Sequence, residues 1–289
     1  MSRALRRRLH EYALLTRLNR PIGILLLLWP ALWALWLAAD GLPEPRLLAI
    51  FIVGTVLTRS AGCIVNDLAD RDFDPHVERT RERPLAARRV APQEAIVLFV
   101  LLMLLALAVV LQLDARSVLL SLVAALLLAT YPFCKRFFPA PQLYLGIAFG
   151  WAVPMAYVAV QGTVPPSGWL LFAATVVWAC IYDTFYAMVD RDDDRRIGIG
   201  STALLFGRHD LLAIGLLQTL MLALLLAVGV LEELGVFHYL GLAAAALLFA
   251  GQLHATRNRD RDACFRAFLG NNYVGLALWV GIGVATLQR

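Results

Sequence analysis

Nine apolar stretches, each long enough to cross a lipid bilayer as an α-helix, constrain this chain more than any other feature. A transmembrane helix needs about 20 predominantly apolar residues, and Gly or Pro within such a helix is tolerated. The pattern therefore predicts an all-α, polytopic membrane bundle of about nine transmembrane helices. The stretches lie at roughly 22–40, 46–66, 93–113, 117–134, 141–161, 168–188, 209–230, 236–255 and 270–288.

The overall composition supports a membrane setting. Of the 289 residues, 60% are apolar and only 16% are charged, and the mean hydropathy is +0.70. Soluble domains carry nearer a quarter charged residues, so a soluble fold is excluded. The first apolar run is too long for a signal peptide, and eight similar runs follow it. Since no linker or shift in composition divides the chain, we expect a single domain over 1–289, with 1–20 as a basic lead-in.

The positions of the basic residues predict the orientation of the bundle. Of 26 Lys and Arg residues, 22 lie in the N-terminal segment or in the connections after the second, fourth, sixth and eighth stretches. Arg46, Arg116 and Arg289 lie on the other side, and Arg59 lies inside the second stretch. Basic loops are retained in the cytoplasm, which places the N-terminus there. This asymmetry accounts for the net charge of +5 without invoking nucleic acid.

Two acidic segments, 66–74 and 190–194, follow the second and sixth apolar stretches. Both are therefore expected at the cytoplasmic membrane surface, facing one shared cavity. Mg²⁺ in proteins prefers a few carboxylate oxygens completed by water and phosphate oxygens. The two segments thus indicate a Mg²⁺-bound phosphorylated substrate.

Helical spacing sorts the polar residues into stripes, because positions four and seven apart share one face of an α-helix. This assumes that the second helix continues past the membrane surface as far as Asp74. The stripes are Arg59, Asn66, Asp70 and Asp74; Asp183, Asp190 and Asp194; and Tyr131 with Lys135.

A structural interpretation competes with the metal-binding one. Charged residues at a membrane helix end are usually a solvated boundary, and one pair of aspartates four residues apart is weak evidence. Two such pairs are harder to dismiss, and Asp183 and Arg59 lie within apolar stretches, where charge is costly. For Arg59 the alternative is a structural pairing with a buried carbonyl or carboxylate.

Other polar features are assigned no chemistry. Cys63, Cys134, Cys180 and Cys264 show no paired spacing, so disulfide and metal roles are not expected. The five histidines are scattered. The charged segment 257–262 lacks carboxylates four residues apart and is expected to be a solvated loop.

Several motifs carry a resemblance that spans about residues 17–285. The two acidic segments, with Tyr182 and Asp183 preceding the second, resemble the aspartate motifs of the UbiA superfamily of intramembrane aromatic prenyltransferases. The branch that uses 4-hydroxybenzoate is the most similar. Its further motifs are Arg20-Pro21-Ile22-Gly23, Tyr131-Pro132-Phe133-x-Lys135-Arg136, Pro141-Gln142-x-x-Leu145-Gly146 and Gly198-Ile199-x-Ser201-Thr202-Ala203.

The resemblance implies a nine-helix bundle around a central cavity that opens sideways to lipid and is capped on the cytoplasmic side. It implies transfer of a polyprenyl group from a polyprenyl diphosphate to the carbon ortho to the hydroxyl of 4-hydroxybenzoate, in ubiquinone biosynthesis at the bacterial inner membrane. Carried over by position, Asp70 and Asp74 serve one Mg²⁺ ion, and Asp190 and Asp194 serve the other.

The remaining site residues are implied in the same way. Asn66 and Asp67 support the first ion, and Arg59 is the expected partner of the acceptor carboxylate, with Arg71 and Arg136 as competitors. Asp183 or a motif aspartate could polarise the phenol. The expected diphosphate contacts are Tyr131, Lys135, Arg136, Arg79 and Arg83.

Three alternatives stay open at this point. A prenyltransferase of the same superfamily could use another aromatic acceptor. An ion-coupled transporter would distribute its charged residues through the depth of the bilayer, whereas these crowd toward one surface. A CDP-alcohol phosphotransferase would show a different aspartate pattern, which the sequence lacks.

Overall fold

The structure is built from α-helices joined by short turns, and no β-strand occurs among the described residues. This computed structural model describes residues 3–76, 80–134, 137–198 and 200–289. The helices are α1 (Arg3–Leu15), α2 (Ile22–Ala39), α3 (Pro45–Ala69), α4 (Pro92–Val110), α5 (Ala115–Cys134), α6 (Pro141–Gly150), α7 (Ala152–Gln161), α8 (Pro166–Ile197), α9 (Thr202–Phe206), α10 (Asp210–Leu231), α11 (Val236–Ala255) and α12 (Arg261–Leu287).

The nine predicted membrane helices are confirmed within these ranges, where nine helices or helix pairs are long and apolar enough to cross a membrane. Helices α6 and α7 together form one span, Pro141–Gln161, and α9 and α10 together form another, Thr202–Leu231. The break at Trp151 precedes Pro154, which has no backbone N–H to donate to Gly150. The predicted bundle is therefore an integral membrane protein.

Two predicted helix bounds are wrong. The last helix begins at Arg261 rather than at about 270, and Arg261 pairs with Asp193 of α8. The charged segment 257–262 is exposed, as expected, but its last two residues belong to this helix. The second membrane helix, α3, does not continue to Asp74: it ends at Ala69, and Asp74 opens a 3-10 turn that ends at His76. Asp and Asn compete with helical backbone bonding, and a residue that precedes proline, as Asp74 does, disfavours the α-helical region.

The basic lead-in forms a helix of its own, α1, which packs against the segment before α4. Arg89 donates from Nε to Glu11 at 3.0 Å, and Arg8 donates to the carbonyl of Arg89 at 3.0 Å. The Tyr12 hydroxyl donates to Glu94 at the start of α4. These contacts fix α1 at the end of the bundle that carries both acidic segments.

Tryptophans of α2 form the centre of the core with α8 and α12. The Trp33 and Trp178 ring centroids are 5.0 Å apart, and Trp178 donates from Nε1 to Asn271 Oδ1 at 2.9 Å. Trp33 donates to the Gly275 carbonyl at 3.1 Å. A buried indole N–H without a partner is costly in an apolar interior, so these bonds fix the position of α8 relative to α12.

Candidate active site

A cavity of about 840 Å³ runs into the bundle from the end where the acidic segments lie. Its inner walls are mostly aliphatic side chains of α3, α4 and α5. Leu104 of α4 and Leu122 of α5 line it although they are 58% and 56% exposed, so the cavity reaches the lipid-facing surface between these helices. Its polar end contains Asn66, Asp67, Asp70, Asp74, Arg83, Tyr131, Asp183, Asp190 and Asp194.

The first acidic segment enters the cavity through the end of α3 and the turn that follows it. Asp70 caps α3, and its backbone N–H donates to the Asn66 carbonyl at 2.9 Å. The Asn66 side-chain amide donates to Asp70 Oδ2 at 3.2 Å, which fixes the orientation of that carboxylate. The turn then brings Asp74 back into the cavity lining, although Asp74 does not lie on the α3 stripe.

Asp67 has a different environment from the one expected for a residue that supports a metal ion with Asn66. It is only 1% exposed, and it accepts from Arg17 Nη2 at 2.9 and 3.0 Å and from Arg83 Nη1 at 3.1 Å. Two guanidinium groups therefore contact this carboxylate, and it anchors Arg17 and Arg83. Its role in supporting the first ion together with Asn66 stays a prediction.

Arg83 contacts both Asp67 and Asp74, the two most deeply buried carboxylates of the first acidic segment. The same Nη1 that contacts Asp67 lies 2.9 and 3.1 Å from the Asp74 carboxylate oxygens. Burial raises the pKa of the Asp74 carboxyl; the Arg83 charge opposes that rise, and the charges of Asp67 and Asp70 add to it. Arg83 is thus already at the polar end of the cavity, where a diphosphate would arrive.

The second acidic segment lies on one continuous helix, as predicted. Helix α8 extends to Ile197, so Asp183, Asp190 and Asp194 share one face and line the cavity. Asp183 lies seven residues before Asp190, or about 10 Å deeper along the helix axis. Both acidic segments therefore contribute to the lining of one cavity.

Arg59 lies deeper in the cavity, about two turns before Asn66 on α3. Its guanidinium carbon is 5.7 Å from the centroid of the Phe149 ring, within cation–π range, and its buried Nε has no hydrogen-bond partner among the described residues. A Cβ on Gly23 would lie 2.6 Å from Nε and 2.7 Å from Nη2. The guanidinium therefore fits closely against Gly23, and it forms no ion pair with a carboxylate of the described residues.

The other predicted binding residues are placed as follows. Tyr131 lines the cavity from α5. Arg71 does not join the group: it is exposed, lies outside the cavity lining and pairs with Asp72 at 3.6 Å. Arg79, Lys135 and Arg136 lie outside the described residues.

Sequence reasoning missed Arg17, which follows the lead-in helix and lines the cavity. A signal was present, because Asp67 follows an apolar stretch of membrane length, where a carboxylate requires a cation. The four cysteines are buried and carry free thiols. Across the described ranges, no three His, Cys, Asp or Glu side chains converge as a ready-made metal site.

Comparison with known proteins identifies the family to which the chain is similar. Residues 27–280 match the UbiA prenyltransferase family. The 4-hydroxybenzoate octaprenyltransferase of Xanthomonas euvesicatoria pv. vesicatoria is 58% identical over 282 residues, which cover 98% of this chain and 94% of that protein. The enzyme of the same name from Alkalilimnicola ehrlichii is 57% identical over 278 residues, covering 96% and 95% of the two chains.

Solved structures share the fold. The apo structure of a UbiA homologue from Aeropyrum pernix K1 matches with a TM-score of 0.79 at 28% identity, over 91% of this chain and 97% of that one. A UbiA homologue from Archaeoglobus fulgidus, bound to GPP and Mg²⁺, matches with a TM-score of 0.71 at 17% identity, over 96% and 100% of the two chains. At 17% identity, the match to the Archaeoglobus fulgidus protein shows only that the two chains share a fold.

Proposed function

This chain belongs to the UbiA prenyltransferase family, and we propose that it transfers a polyprenyl group from a polyprenyl diphosphate to 4-hydroxybenzoate, as a step of ubiquinone biosynthesis. The new bond forms at the ring carbon ortho to the hydroxyl. The observation that carries the proposal is that aspartates of both acidic segments line the polar end of one mostly apolar cavity. Relatives 57–58% identical to this chain support the choice of acceptor.

The donor set fits Mg²⁺. Asp70, Asp190 and Asp194 offer carboxylate oxygens at the polar end, Asn66 orients Asp70, and Asp74 completes the first pair. Mg²⁺ takes a few carboxylates and completes its shell with water and phosphate oxygens, so an incomplete protein site is expected. We propose that Asp70 and Asp74 hold one ion, and Asp190 and Asp194 the other. When bound, Mg²⁺ supplies positive charge that stabilises the departing diphosphate.

Cationic and hydroxyl side chains would meet the diphosphate directly. Arg83 and Tyr131 line the same end of the cavity as the aspartates. Arg79, Lys135 and Arg136 complete the proposed set from sequence position alone. Fixed donors aimed at developing negative charge are an effective catalytic device in a cavity that excludes water.

The acceptor would bind deeper, with its carboxylate on Arg59. An unpaired buried N–H is costly, and a carboxylate near that guanidinium would satisfy it. The phenol end would then face the aspartates, because Arg59 lies deeper in the cavity than Asn66 and Asp70. Asp183 lines the cavity from α8 about two turns before Asp190, where it could polarise the phenol or take the ring proton; the motif aspartates are the alternative.

The reaction then balances as one substitution. The bond between the allylic carbon and the diphosphate oxygen breaks, and its electrons leave with the diphosphate. The ring carbon ortho to the phenol oxygen forms the new carbon–carbon bond, and its proton passes to the base. The aliphatic walls keep out water, which would otherwise capture the allylic cation as an alcohol.

The positions of the basic residues support the membrane orientation that we propose for this reaction. Most basic residues lie at the end of the bundle that carries the aspartates, so we place that end, with the N-terminus, in the cytoplasm, and the protein in the bacterial inner membrane. Helix α1 and residues 80–84 would form the cytoplasmic cap, since Arg17, Thr80 and Pro84 line the cavity there. The chain acts as a single domain over 1–289.

The proposal is tested with membranes that contain the protein, 4-hydroxybenzoate, Mg²⁺ and a polyprenyl diphosphate. The expected product is the 3-prenylated acid, detected by mass spectrometry. Asp70→Ala and Asp190→Ala should each abolish it while membrane insertion is retained. Product from other aromatic acceptors but none from 4-hydroxybenzoate would move the chain to another branch of the family. Ion flux without any prenyl transfer would favour a transporter.

A further inference from the structure

A buried carboxylate outside the cavity holds the arginine of the second acidic segment. Asp210 opens α10, is 0% exposed and accepts from Arg191 Nη2 of α8. It also accepts from Arg259 Nε at 3.0 Å and Nη2 at 2.8 Å, and from the backbone N–H of Leu211 at 2.6 Å. Helices α8 and α10 and the loop before α12 therefore meet at one carboxylate.

Arg191 has an obvious competing partner. It lies three residues before Asp194 on α8, and side chains at that spacing are neighbours that form ion pairs on isolated helices. Asp190 is its immediate neighbour in sequence. An arginine paired with Asp194 would neutralise a carboxylate that the proposed site uses for a divalent ion. In the structure, Arg191 is instead turned away from the cavity lining and toward α10.

A second carboxylate acts in the same way on neighbouring arginines. Asp193 lies 3.2 Å from Arg261 at the start of α12 and 3.7 Å from Arg196 on α8. Asp193, like Asp210, is absent from the cavity lining. Arg191, Arg196 and Arg261 thus contact carboxylates that do not line the cavity.

The backbone around Arg259 is held in an unfavourable conformation that serves this contact. Arg259 has φ of 60°, in the left-handed region that non-glycine residues rarely adopt. Its Nη2 also donates to the Arg208 carbonyl at 3.0 Å, next to Asp210. Backbone strain of this kind persists only where surrounding contacts fix it, and here those contacts are with Asp210 and Arg208.

We propose that Asp210 is a positioning residue that withholds Arg191 from Asp194 and so preserves the negative charge of the second aspartate pair. The inference rests on the proposed metal-dependent function of that pair. Arg259 supports Asp210 but does not itself face Asp194. Removing the Asp210 charge would release Arg191 to its neighbour on α8, and divalent-ion binding would weaken.

The test compares four proteins purified in detergent: the wild type, Asp210→Asn, Arg191→Gln and the double variant. For Asp210→Asn, the Mg²⁺ concentration for half-maximal activity should rise by about fivefold, the factor that corresponds to an ion pair of about 1 kcal/mol. Mn²⁺ binding in the presence of inorganic pyrophosphate, followed by electron paramagnetic resonance, should weaken equally. The double variant should recover wild-type binding of Mn²⁺, because the released arginine is gone.

Arg259→Gln is the matched control, since it disturbs the same cluster but leaves Arg191 paired with Asp210. It should lower the unfolding temperature without changing Mn²⁺ binding. A double variant that binds Mn²⁺ as weakly as Asp210→Asn would overturn the proposal. If Asp210→Asn does not fold, Arg191→Gln decides alone: a fivefold rise in its Mg²⁺ requirement would assign Arg191 to the substrate and also overturn it. Mn²⁺ binding does not require prenyl transfer, so it tests the role of Asp210 even if the protein does not catalyse the proposed reaction.

Discussion

Arg17 donates from a single nitrogen, Nη2, to both carboxylate oxygens of Asp67, at 3.0 and 2.9 Å. This contact ties the N-terminal lead-in to the end of α3, across 50 residues of sequence. Arg17 has φ of 59°, so its backbone is held in the left-handed region. The lead-in is therefore part of the frame that positions the first acidic segment.

Removing Arg17 should weaken this frame. In Arg17→Ala the buried Asp67 keeps its ion pair with Arg83 but loses the one with Arg17. We therefore expect the free energy of unfolding to fall by about 1–3 kcal/mol. Arg83 would then be drawn more strongly to Asp67, and the KM for polyprenyl diphosphate should rise. Thermal unfolding and steady-state kinetics measure the two effects.

Arg71→Ala is the matched control for this change. Arg71 lies in the same acidic segment, but it is exposed and pairs only with the exposed Asp72 among the contacts resolved for it. Surface pairs contribute between about 0 and 1 kcal/mol, so this variant should behave like the wild type. A loss of activity equal to that of Arg17→Ala would contradict the assignment of Arg71 to the surface.

A methyl group at position 23 should displace the proposed acceptor ligand. A Cβ there would lie 2.6 Å from Arg59 Nε, closer than non-bonded atoms approach, so the guanidinium must move. We expect Gly23→Ala to raise the KM for 4-hydroxybenzoate by about tenfold, equivalent to the loss of one charge-assisted hydrogen bond, with little change for the diphosphate. Steady-state kinetics with each substrate varied in turn distinguishes the two.

Gly251→Ala provides the comparison, because nothing lies within 4 Å of a Cβ at that helical position. It should leave both KM values unchanged. Arg59→Ala should reproduce the selective effect of Gly23→Ala on the acceptor. If both substrates were affected equally by Arg59→Ala, a structural role for this arginine would be favoured instead.

The fold was largely predictable because its main determinant is local. A stretch of about 20 apolar residues suffices to define a membrane helix, and the nine stretches correspond to the nine spans found within the described part of the chain. The shared face of Asp183, Asp190 and Asp194 was equally predictable, because α8 is a continuous helix through these residues. The prediction that Asp74 lies on the same helical face as Asn66 and Asp70 was wrong, because α3 ends at Ala69 and Asp74 opens a separate 3-10 turn.

The contacts that organise the candidate site were not predictable from spacing. Asp67 pairs with arginines 50 residues before it and 16 residues after it, and Asp210 pairs with Arg259, 49 residues away. Such partners are chosen by packing between helices, which periodicity does not encode. The segment 257–262 was therefore interpreted as solvated, although Arg259 and Arg261 pair with carboxylates of α10 and α8.

The polar core should be more sensitive to substitution than the surface of the same helix. Asn271 is fully buried; its Oδ1 accepts from Trp178, and its Nδ2 donates to the Ala267 carbonyl at 2.9 Å. Asn271→Ala leaves the Trp178 N–H unpaired, so we expect a loss of about 1–3 kcal/mol. Tyr273→Ala, at a position 62% exposed, is the control and should unfold near the wild-type temperature.

Divalent-ion binding should depend on the diphosphate. Among the described residues, the carboxylates do not converge as a group of three, and Asp74 is paired with Arg83. Mg²⁺ completes its shell with phosphate oxygens, so Mg²⁺ alone should raise the unfolding temperature little, and Mg²⁺ with a polyprenyl diphosphate should raise it substantially.

Because coupling between two ligands is reciprocal, removing Mg²⁺ with EDTA should weaken diphosphate binding by the same factor as removing the diphosphate weakens Mg²⁺ binding. Isothermal titration with each ligand, in the presence and absence of the other, measures this factor. Independent binding of the two ligands would contradict a shared site formed by α3 and α8.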